Sequence, residues 1–293
     1  MRTRLFLLFF SSICAVTAVY ANMRQRWQVD RYPSYFPQSV PGASVDSEDL
    51  NFICDLAYEG DADWSEMQKR GCNVRALYAI TTKTERGVAL EFILPSEDPV
   101  TVFINGEKVK VDSREIVMTD TTRRAYRLSE VCHFCGSKFS RLYAASFDGK
   151  LRAGTNKIEV HYRQPYSFYE TAYGYFKTSE WLNSFEYELW PLRSWEVSPG
   201  FKMNIRVQLQ RPGWLKRITT DSKLECSGEN LQIPTHFKLP PQSTSENNFE
   251  SWIKQNTRTD VKLNRRNEAD QAIFTTTMTE NFPDRLSCIV QSD

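Results

Sequence analysis

The sequence predicts a mostly β protein: two antiparallel β-sandwich-like units with a few short helices, stapled by disulfides. Three observations support this fold class. Alternating polar and apolar runs recur along the chain, turn residues separate them, and the cysteines suit an oxidising compartment. With 293 residues, 41% hydrophobic and 25% charged, the composition excludes a disordered chain or a collagen-like fibre.

The first residues have the pattern of a signal peptide. Arg2 and Arg4 precede an apolar run over residues 5–19, and small residues lead to a cleavage site after Ala21. Cleavage leaves 272 residues, with 35 basic against 36 acidic side chains. This near-neutral balance indicates no affinity for nucleic acid. A retained N-terminal anchor is the alternative, and no later stretch predicts a membrane span.

Six cysteines remain after residue 21, and an even number in an exported chain predicts disulfides. They allow 15 pairings. Cys226 and Cys288 each lie on the apolar side of an alternating run, so we expect them to join two late strands. A local bridge closes between Cys54 and Cys72, and Cys132 then pairs with Cys135.

Cys132 and Cys135 also form a Cys-x-x-Cys motif, which carries a second hypothesis. In a thiol-disulfide oxidoreductase, the first thiolate of such a pair is stabilised at a helix N-terminus. Here no βαβ pattern surrounds the motif, and a zinc site would need a second ligand pair. We therefore expect a structural disulfide, and neither a cofactor nor a bound metal.

The chain divides into a lead-in segment (22–45), a first sandwich-like domain (46–165) and a second one (166–293). Residues 47–58 show helical spacing of Leu50, Ile53, Cys54 and Ala57, which predicts a short helix. Most of the chain after residue 58 has the pattern of strands.

The clearest strand covers residues 201–210, where five apolar residues alternate with polar ones. Residues 157–163 alternate in the same way. Asn105-Gly106 stands between two alternating runs and predicts a hairpin, because both residues tolerate positive φ. One polar and one apolar face per strand is typical of antiparallel sheets.

An aromatic segment between residues 162 and 195 is the candidate binding surface. Tyrosine and tryptophan rings beside carboxylates suit the stacking and hydrogen bonding of a sugar, and they also suit protein interfaces. The candidate residues are Tyr173, Tyr175, Trp181, Glu186, Glu188, Trp190 and Trp195. The alternative is that these rings fill the core or the seam between domains.

Catalytic signatures are scarce. The sequence has three histidines and lacks the HExxH, GxSxG, P-loop and GxGxxG motifs. Glu186 and Glu188 stand two residues apart on one strand face, a spacing of about 6.6 Å that overlaps that of a glycosidase pair. This spacing supports a third, weaker hypothesis, a hydrolase with dispersed carboxylates.

The runs at residues 102–106 and 154–162 loosely resemble β-sandwich accessory domains of secreted carbohydrate-active enzymes, over about sixty residues. No functional residue is carried over from this resemblance. The prediction is a non-catalytic binding or assembly module of a bacterial cell envelope, periplasmic or secreted. Its expected partner is a glycan or another envelope protein.

Overall fold

A computed structural model describes residues 23–25, 42–55, 70–94, 97–116, 142–174, 177–189, 192, 195–210, 222–230, 257–268, 271–279 and 281–292. Within these ranges the chain forms β-strands and no α-helix. The strands are β1 (Met23–Gln25), β2 (Ala43–Asp55), β3 (Gly71–Thr82), β4 (Arg86–Leu94), β5 (Thr101–Ile104), β6 (Glu107–Val109), β7 (Asp112–Ile116), β8 (Leu142–Leu151), β9 (Gly154–Pro165), β10 (Ser167–Gly174), β11 (Lys177–Glu188), β12 (Glu196–Gln210), β13 (Ser222–Asn230), β14 (Thr257–Val261), β15 (Asn264–Glu268), β16 (Gln271–Met278) and β17 (Arg285–Ser292). The predicted mostly β, disulfide-stapled fold class is confirmed.

These strands form three sheets. The largest has eight strands in the order β15-β16-β12-β2-β3-β9-β5-β6, the second has five in the order β10-β11-β17-β13-β14, and the third has four in the order β1-β4-β8-β7. Neighbouring strands pair antiparallel, as expected, except that β2 and β12 run parallel. β2, in the middle of the large sheet, therefore lies between its antiparallel partner β3 and β12, a strand from much later in the chain.

The predicted helix at residues 47–58 is wrong, because residues up to Asp55 belong to β2. A register shift between Val45 and Ser47 places an extra residue in β2 opposite β3. Such a β-bulge moves the following side chains to the opposite face. The buried positions therefore pass from Val45 to Glu48 and then alternate, and this break conceals the strand period in the sequence.

All three sheets contribute to one core. Phe52 of the large sheet contacts Phe185 of the five-stranded sheet, with ring centroids 5.0 Å apart. Tyr78 of the large sheet contacts Phe92 of the four-stranded sheet at 6.2 Å. All four side chains are fully or almost fully buried. The apolar faces of the sheets thus pack against one another.

The predicted hairpin at Asn105-Gly106 is confirmed, since it joins β5 to β6 with φ angles of 53° and 86°. Asn105 also fixes the adjacent strand: its Oδ1 accepts a hydrogen bond from the backbone of Lys157 at 2.9 Å. Its Nδ2 donates to Asn156 Oδ1 at 2.9 Å. The hairpin is thereby anchored to β9.

Two of the predicted disulfides are confirmed. Cys54 and Cys72 face each other across β2 and β3, and Cys226 and Cys288 face each other across β13 and β17. Each bridge therefore joins two strands of the same sheet, and all four cysteines are buried. Disulfides are typical of proteins in oxidising compartments.

The predicted division of the chain at residue 165 stays a prediction. The large sheet contains strands from both sides of that position, and its neighbouring strands β2 and β12 come from opposite sides. Ala43 and Val45, placed by sequence in the lead-in segment, are buried in β2. The predicted signal segment lies outside the described residues. Within the described residues, no helix is long and apolar enough to cross a membrane.

Candidate functional site

The outward face of the large sheet brings polar side chains from four strands into rows. Asn51 of β2 pairs with Arg75 of β3, Arg75 pairs with His161 of β9, and His161 pairs with Thr101 of β5. Two residues further along β2, the next row is Ile53, Asn73 and Arg163. Sheet geometry sets these positions, because every second side chain of a strand faces outward.

A shallow groove of about 520 Å³ lies over these rows. Its polar lining comprises Asn51, Asn73, Arg75, Asp98, Thr101, His161 and Arg163. The remaining lining residues are Ile53, Val74, Pro99 and Tyr162. Most of the lining residues are polar, but most of the exposed lining area is apolar carbon, and the groove is bordered by the chain that leads into β5.

Three side chains are locked together at this groove. Arg75 Nε donates a hydrogen bond to Glu159 Oε1 at 2.6 Å, and His161 Nε2 lies 2.6 Å from the same oxygen. Because an ionised carboxylate only accepts hydrogen bonds, Nε2 of His161 carries a hydrogen. The ring of Phe103 meets the edge of the His161 ring, with centroids 5.8 Å apart. The Arg75 guanidinium and the His161 imidazole are therefore held in place, while both remain nearly half exposed.

The Glu159 carboxylate is strongly favoured in its ionised form. The hydrogen bond from Arg75, assisted by the one from His161, lowers the pKa of Glu159 from 4.5 to about 2. The same contact raises the pKa of the Arg75 guanidinium. Both groups of this pair stay charged through the physiological pH range.

A second arginine is fixed in the neighbouring row. Arg163 Nη2 donates to Asp55 Oδ2 at 2.9 Å, and Nη1 donates to Asn73 Oδ1 at 3.3 Å. The same oxygen of Asp55 accepts a hydrogen bond from the backbone of Gly71 at 3.2 Å. The groove therefore contains two arginine guanidinium groups, each oriented by a carboxylate. Glu159 on the adjacent strand β9 holds Arg75, and Asp55 on β2 of the same sheet holds Arg163.

The arrangement presents fixed hydrogen-bonding groups of both charges on one sheet face. Each arginine has a carboxylate partner, so the charges in the groove nearly cancel. Within the ranges that the structure describes, no group of three or more His, Cys, Asp or Glu is placed to hold a metal ion.

The structure describes only part of the predicted aromatic surface. Tyr173 lies in β10 and Trp181 in β11, but their side chains are outside the described part. Tyr175 and Trp190 lie outside it entirely. Trp195 is only 4% exposed and packs in the core, where a ligand does not reach its ring.

The paired glutamates of β11 differ from the solvated face that their alternation suggests. The Glu186 side chain is 16% exposed, and its Oε2 lies 3.5 Å from Arg285 Nη1 of β17. Its neighbours Ser184 and Phe185 are both buried, so this part of β11 is covered on both faces. Glu188 pairs with Arg285 through the backbone, and its side chain is outside the described part.

The sequence did not predict the groove, but it did assign three of the residues at the groove to the correct strand face. The alternation of residues 157–163 correctly assigns Glu159, His161 and Arg163 to the polar face of one strand. Their partners on β3, Arg75 and Asn73, are about 85 to 90 positions away in the sequence. Only the pairing of β3 with β9 brings the two sets together. The Cys132–Cys135 motif lies outside the described residues.

Comparisons with known proteins give distant likenesses. No family model matches the chain, and no curated protein matches its sequence. Among solved structures, a candidate nutrient binding protein of Legionella pneumophila superposes with a TM-score of 0.47 and 12% identity, covering 94% of this chain and 73% of that one.

An M1 zinc metallopeptidase of Deinococcus radiodurans superposes with a TM-score of 0.37 and 12% identity, covering 87% of this chain. This chain spans 44% of the length of that enzyme. LTA4 hydrolase of yeast gives a TM-score of 0.30 at 11% identity, covering 85% of this chain and 31% of the hydrolase. Likenesses at this level carry no statement about function.

Proposed function

We propose that this protein is an exported binding protein whose groove on the large sheet holds a neutral, hydroxyl-rich ligand of the glycan class. The observation that carries the proposal is the fixed arrangement of Arg75, Glu159 and His161 on an open sheet face. Preorganised side chains lose little conformational freedom when a ligand binds, which favours affinity.

The charge of the groove supports a neutral ligand. Arg75 and Arg163 are offset by Glu159 and Asp55, and Asp98 adds a further carboxyl group to the lining. A strongly anionic or cationic ligand would gain little from such a surface. Sugar hydroxyls both donate and accept hydrogen bonds, so they match a lining that offers amide, guanidinium, imidazole and carboxylate groups.

Replacing Arg75 by alanine is expected to weaken glycan binding about 10- to 100-fold, because hydrogen bonds to a charged group contribute about 1.5–3 kcal/mol. A glycan array identifies the ligand for the wild type, and calorimetric titration gives Kd for the variants. Arg114→Ala is the matched control, since Arg114 is an exposed arginine on β7 of another sheet. Affinity is expected to stay nearly constant as salt increases, because the ligand is neutral.

Two further variants separate the groove from the aromatic segment. Trp181→Ala and Trp190→Ala are expected to bind with wild-type affinity if the groove is the site. Loss of binding in these variants, with full binding by Arg75→Ala, would assign the ligand to the aromatic segment and contradict the groove. A steep decline of affinity with salt would indicate a charged ligand.

Export is part of the proposal, supported by the two disulfides and the signal-like pattern of the first residues. Expression in a bacterial host is expected to give a periplasmic or secreted chain whose N-terminal sequence begins at Asn22. The measurement is N-terminal sequencing of the fractionated protein. A chain that keeps residues 1–21 and sediments with membranes would support the anchored alternative.

A further inference from the structure

A glutamate lies in the middle of the apolar face of the large sheet. Glu48 of β2 pairs with Met203 of β12 on one side and with Tyr78 of β3 on the other, and Tyr78 pairs with Ile158 of β9. All four side chains have no solvent exposure. A carboxyl group in such a row has lost its hydration and needs compensation from its neighbours.

The bulge in β2 puts Glu48 in this position. In a regular strand with no bulge, the burial of every second residue that begins at Ala43 would continue through Ser47 and Asp49. Glu48 would then face outward. Instead Glu48 faces inward and Asp49 accepts a hydrogen bond from Asn204 on the outward face at 2.7 Å. The local backbone therefore selects which of two adjacent acidic residues is buried.

Tyrosines from three strands face the buried carboxyl. Tyr187 of β11 donates a hydrogen bond to Glu48 Oε1 at 2.8 Å, and the hydroxyl groups of Tyr187 and Tyr78 lie 2.8 Å apart. Tyr162 of β9 interacts electrostatically with Glu48, although its buried hydroxyl has no hydrogen-bond partner in the described part of the chain. Because β11 belongs to the five-stranded sheet, this cluster lies at the contact between two sheets.

The compensation suits a neutral acid better than an ion. Within the described ranges, Glu48 Oε2 has no hydrogen-bond partner and no cation contacts the carboxyl group. Desolvation raises the pKa of Glu48 from 4.5 to about 7, against the opposing effect of the hydrogen bonds from Tyr187 and Tyr78, and the charge of Asp49 adds to the rise. Burial also raises the pKa of all three facing tyrosines, so they remain neutral.

We propose that Glu48 makes the stability of this protein sensitive to pH: it is a neutral carboxylic acid in the folded protein, and its ionisation weakens the contact between the eight-stranded and five-stranded sheets. The groups that determine its response are Tyr78, Tyr162 and Tyr187 on the facing strands and Asp49 on its own strand. The fold is then most stable under mildly acidic conditions and less stable at and above neutral pH.

The direction follows from proton binding. The folded protein binds the Glu48 proton more tightly than the unfolded chain, so this contribution to stability is complete below pH 4.5 and is lost as the pH rises to about 7. From well below pH 4.5 to well above pH 7, the unfolding equilibrium constant attributable to Glu48 is expected to rise roughly 300-fold in total. Above about pH 8 the contribution no longer changes.

The test compares the wild type with Glu48→Gln, which keeps the shape of the side chain and cannot ionise. Urea unfolding is measured for both at intervals from pH 4 to pH 8.5, and the ratio of their unfolding constants is the readout. The wild type is expected to unfold progressively more readily than Glu48→Gln from about pH 4.5 to about pH 8, after which the ratio levels off. A ratio that stays constant over the whole range would overturn the proposal.

Glu107→Gln is the matched control. Its side chain on β6 is 81% exposed, so replacing it is expected to leave the ratio to the wild type flat between pH 5.5 and 8.5. If Glu48→Gln does not fold, infrared spectroscopy of the wild type gives a direct readout. A carbonyl band of a protonated, buried carboxyl group is expected to persist at pH 6, and its absence there would overturn the proposal as well.

Discussion

Removing the Cys226–Cys288 disulfide is expected to lower the free energy of unfolding by about 4 kcal/mol, and removing Cys54–Cys72 by about 3 kcal/mol. The two bridges span 62 and 18 residues in the sequence. A bridge over a longer loop removes more conformational entropy from the unfolded chain, so its loss has the larger effect. Urea unfolding of the double variants Cys226→Ala/Cys288→Ala and Cys54→Ala/Cys72→Ala measures both values.

The comparison has an internal control, because all four cysteines are buried and each pair joins neighbouring strands. Packing losses in the two double variants should therefore be similar, and the difference reports loop length. A larger loss for the Cys54–Cys72 pair would contradict this account. Such a result would indicate that the Cys54–Cys72 bridge also stabilises the folded strand β2, beyond lowering the conformational entropy of the unfolded chain.

Replacing Phe52 by alanine is expected to lower the free energy of unfolding by about 3–5 kcal/mol. The Phe52 side chain is fully buried, and its ring contacts the rings of Phe185 at 5.0 Å and Tyr187 at 5.8 Å. Truncation leaves a cavity where the large sheet meets the five-stranded sheet. Chemical unfolding gives the size of the effect, and Phe103→Ala, on the outward face, is expected to cost much less.

Calorimetry of Phe52→Ala also tests the predicted division at residue 165. Because Phe52 precedes that position and its aromatic partners come after it, we expect the variant to unfold in one transition at a lower temperature. Two separate transitions, with only one of them shifted, would instead support two independent sandwich-like domains. The wild type, scanned under the same conditions, provides the reference.

Local sequence patterns were sufficient wherever a strand and its turn are continuous in the chain. The alternation from Phe201 to Leu209 predicted β12 with its buried face, and Asn105-Gly106 predicted the hairpin between β5 and β6. Inward-facing positions also identified the Cys226–Cys288 pair. In these places side-chain period, turn chemistry and burial agree, so neighbouring residues suffice.

The pattern failed where an extra residue interrupts the strand period. In β2, Leu50, Phe52 and Cys54 alternate, but the bulge breaks that series toward Val45. The apolar residues Leu50, Ile53 and Cys54 also fit a helical spacing, and that coincidence produced the wrong prediction. Extending the alternation backward from Leu50 would have placed Glu48 on the buried face.

The groove could not be read from the chain because its residues meet only through distant pairing. Arg75 and Glu159 lie 84 positions apart, and Arg163 and Asp55 lie 108 apart. Charged residues on a strand face are ordinarily solvated, so neither pair has a local signal. Dense aromatic residues were the stronger signal, yet Trp195, one of the candidate residues, is buried in the core.

The parallel pairing of β2 with β12 also delays the completion of the large sheet during synthesis. Asp49 and its partner Asn204 are separated by 155 positions. At synthesis rates of about 5–20 residues per second, β2 waits on the order of ten seconds for β12 to be made. Contacts over such distances close slowly, so the large sheet stays open while most of the chain is made. Under the export proposed above, that delay would keep the chain unfolded while it crosses a membrane channel.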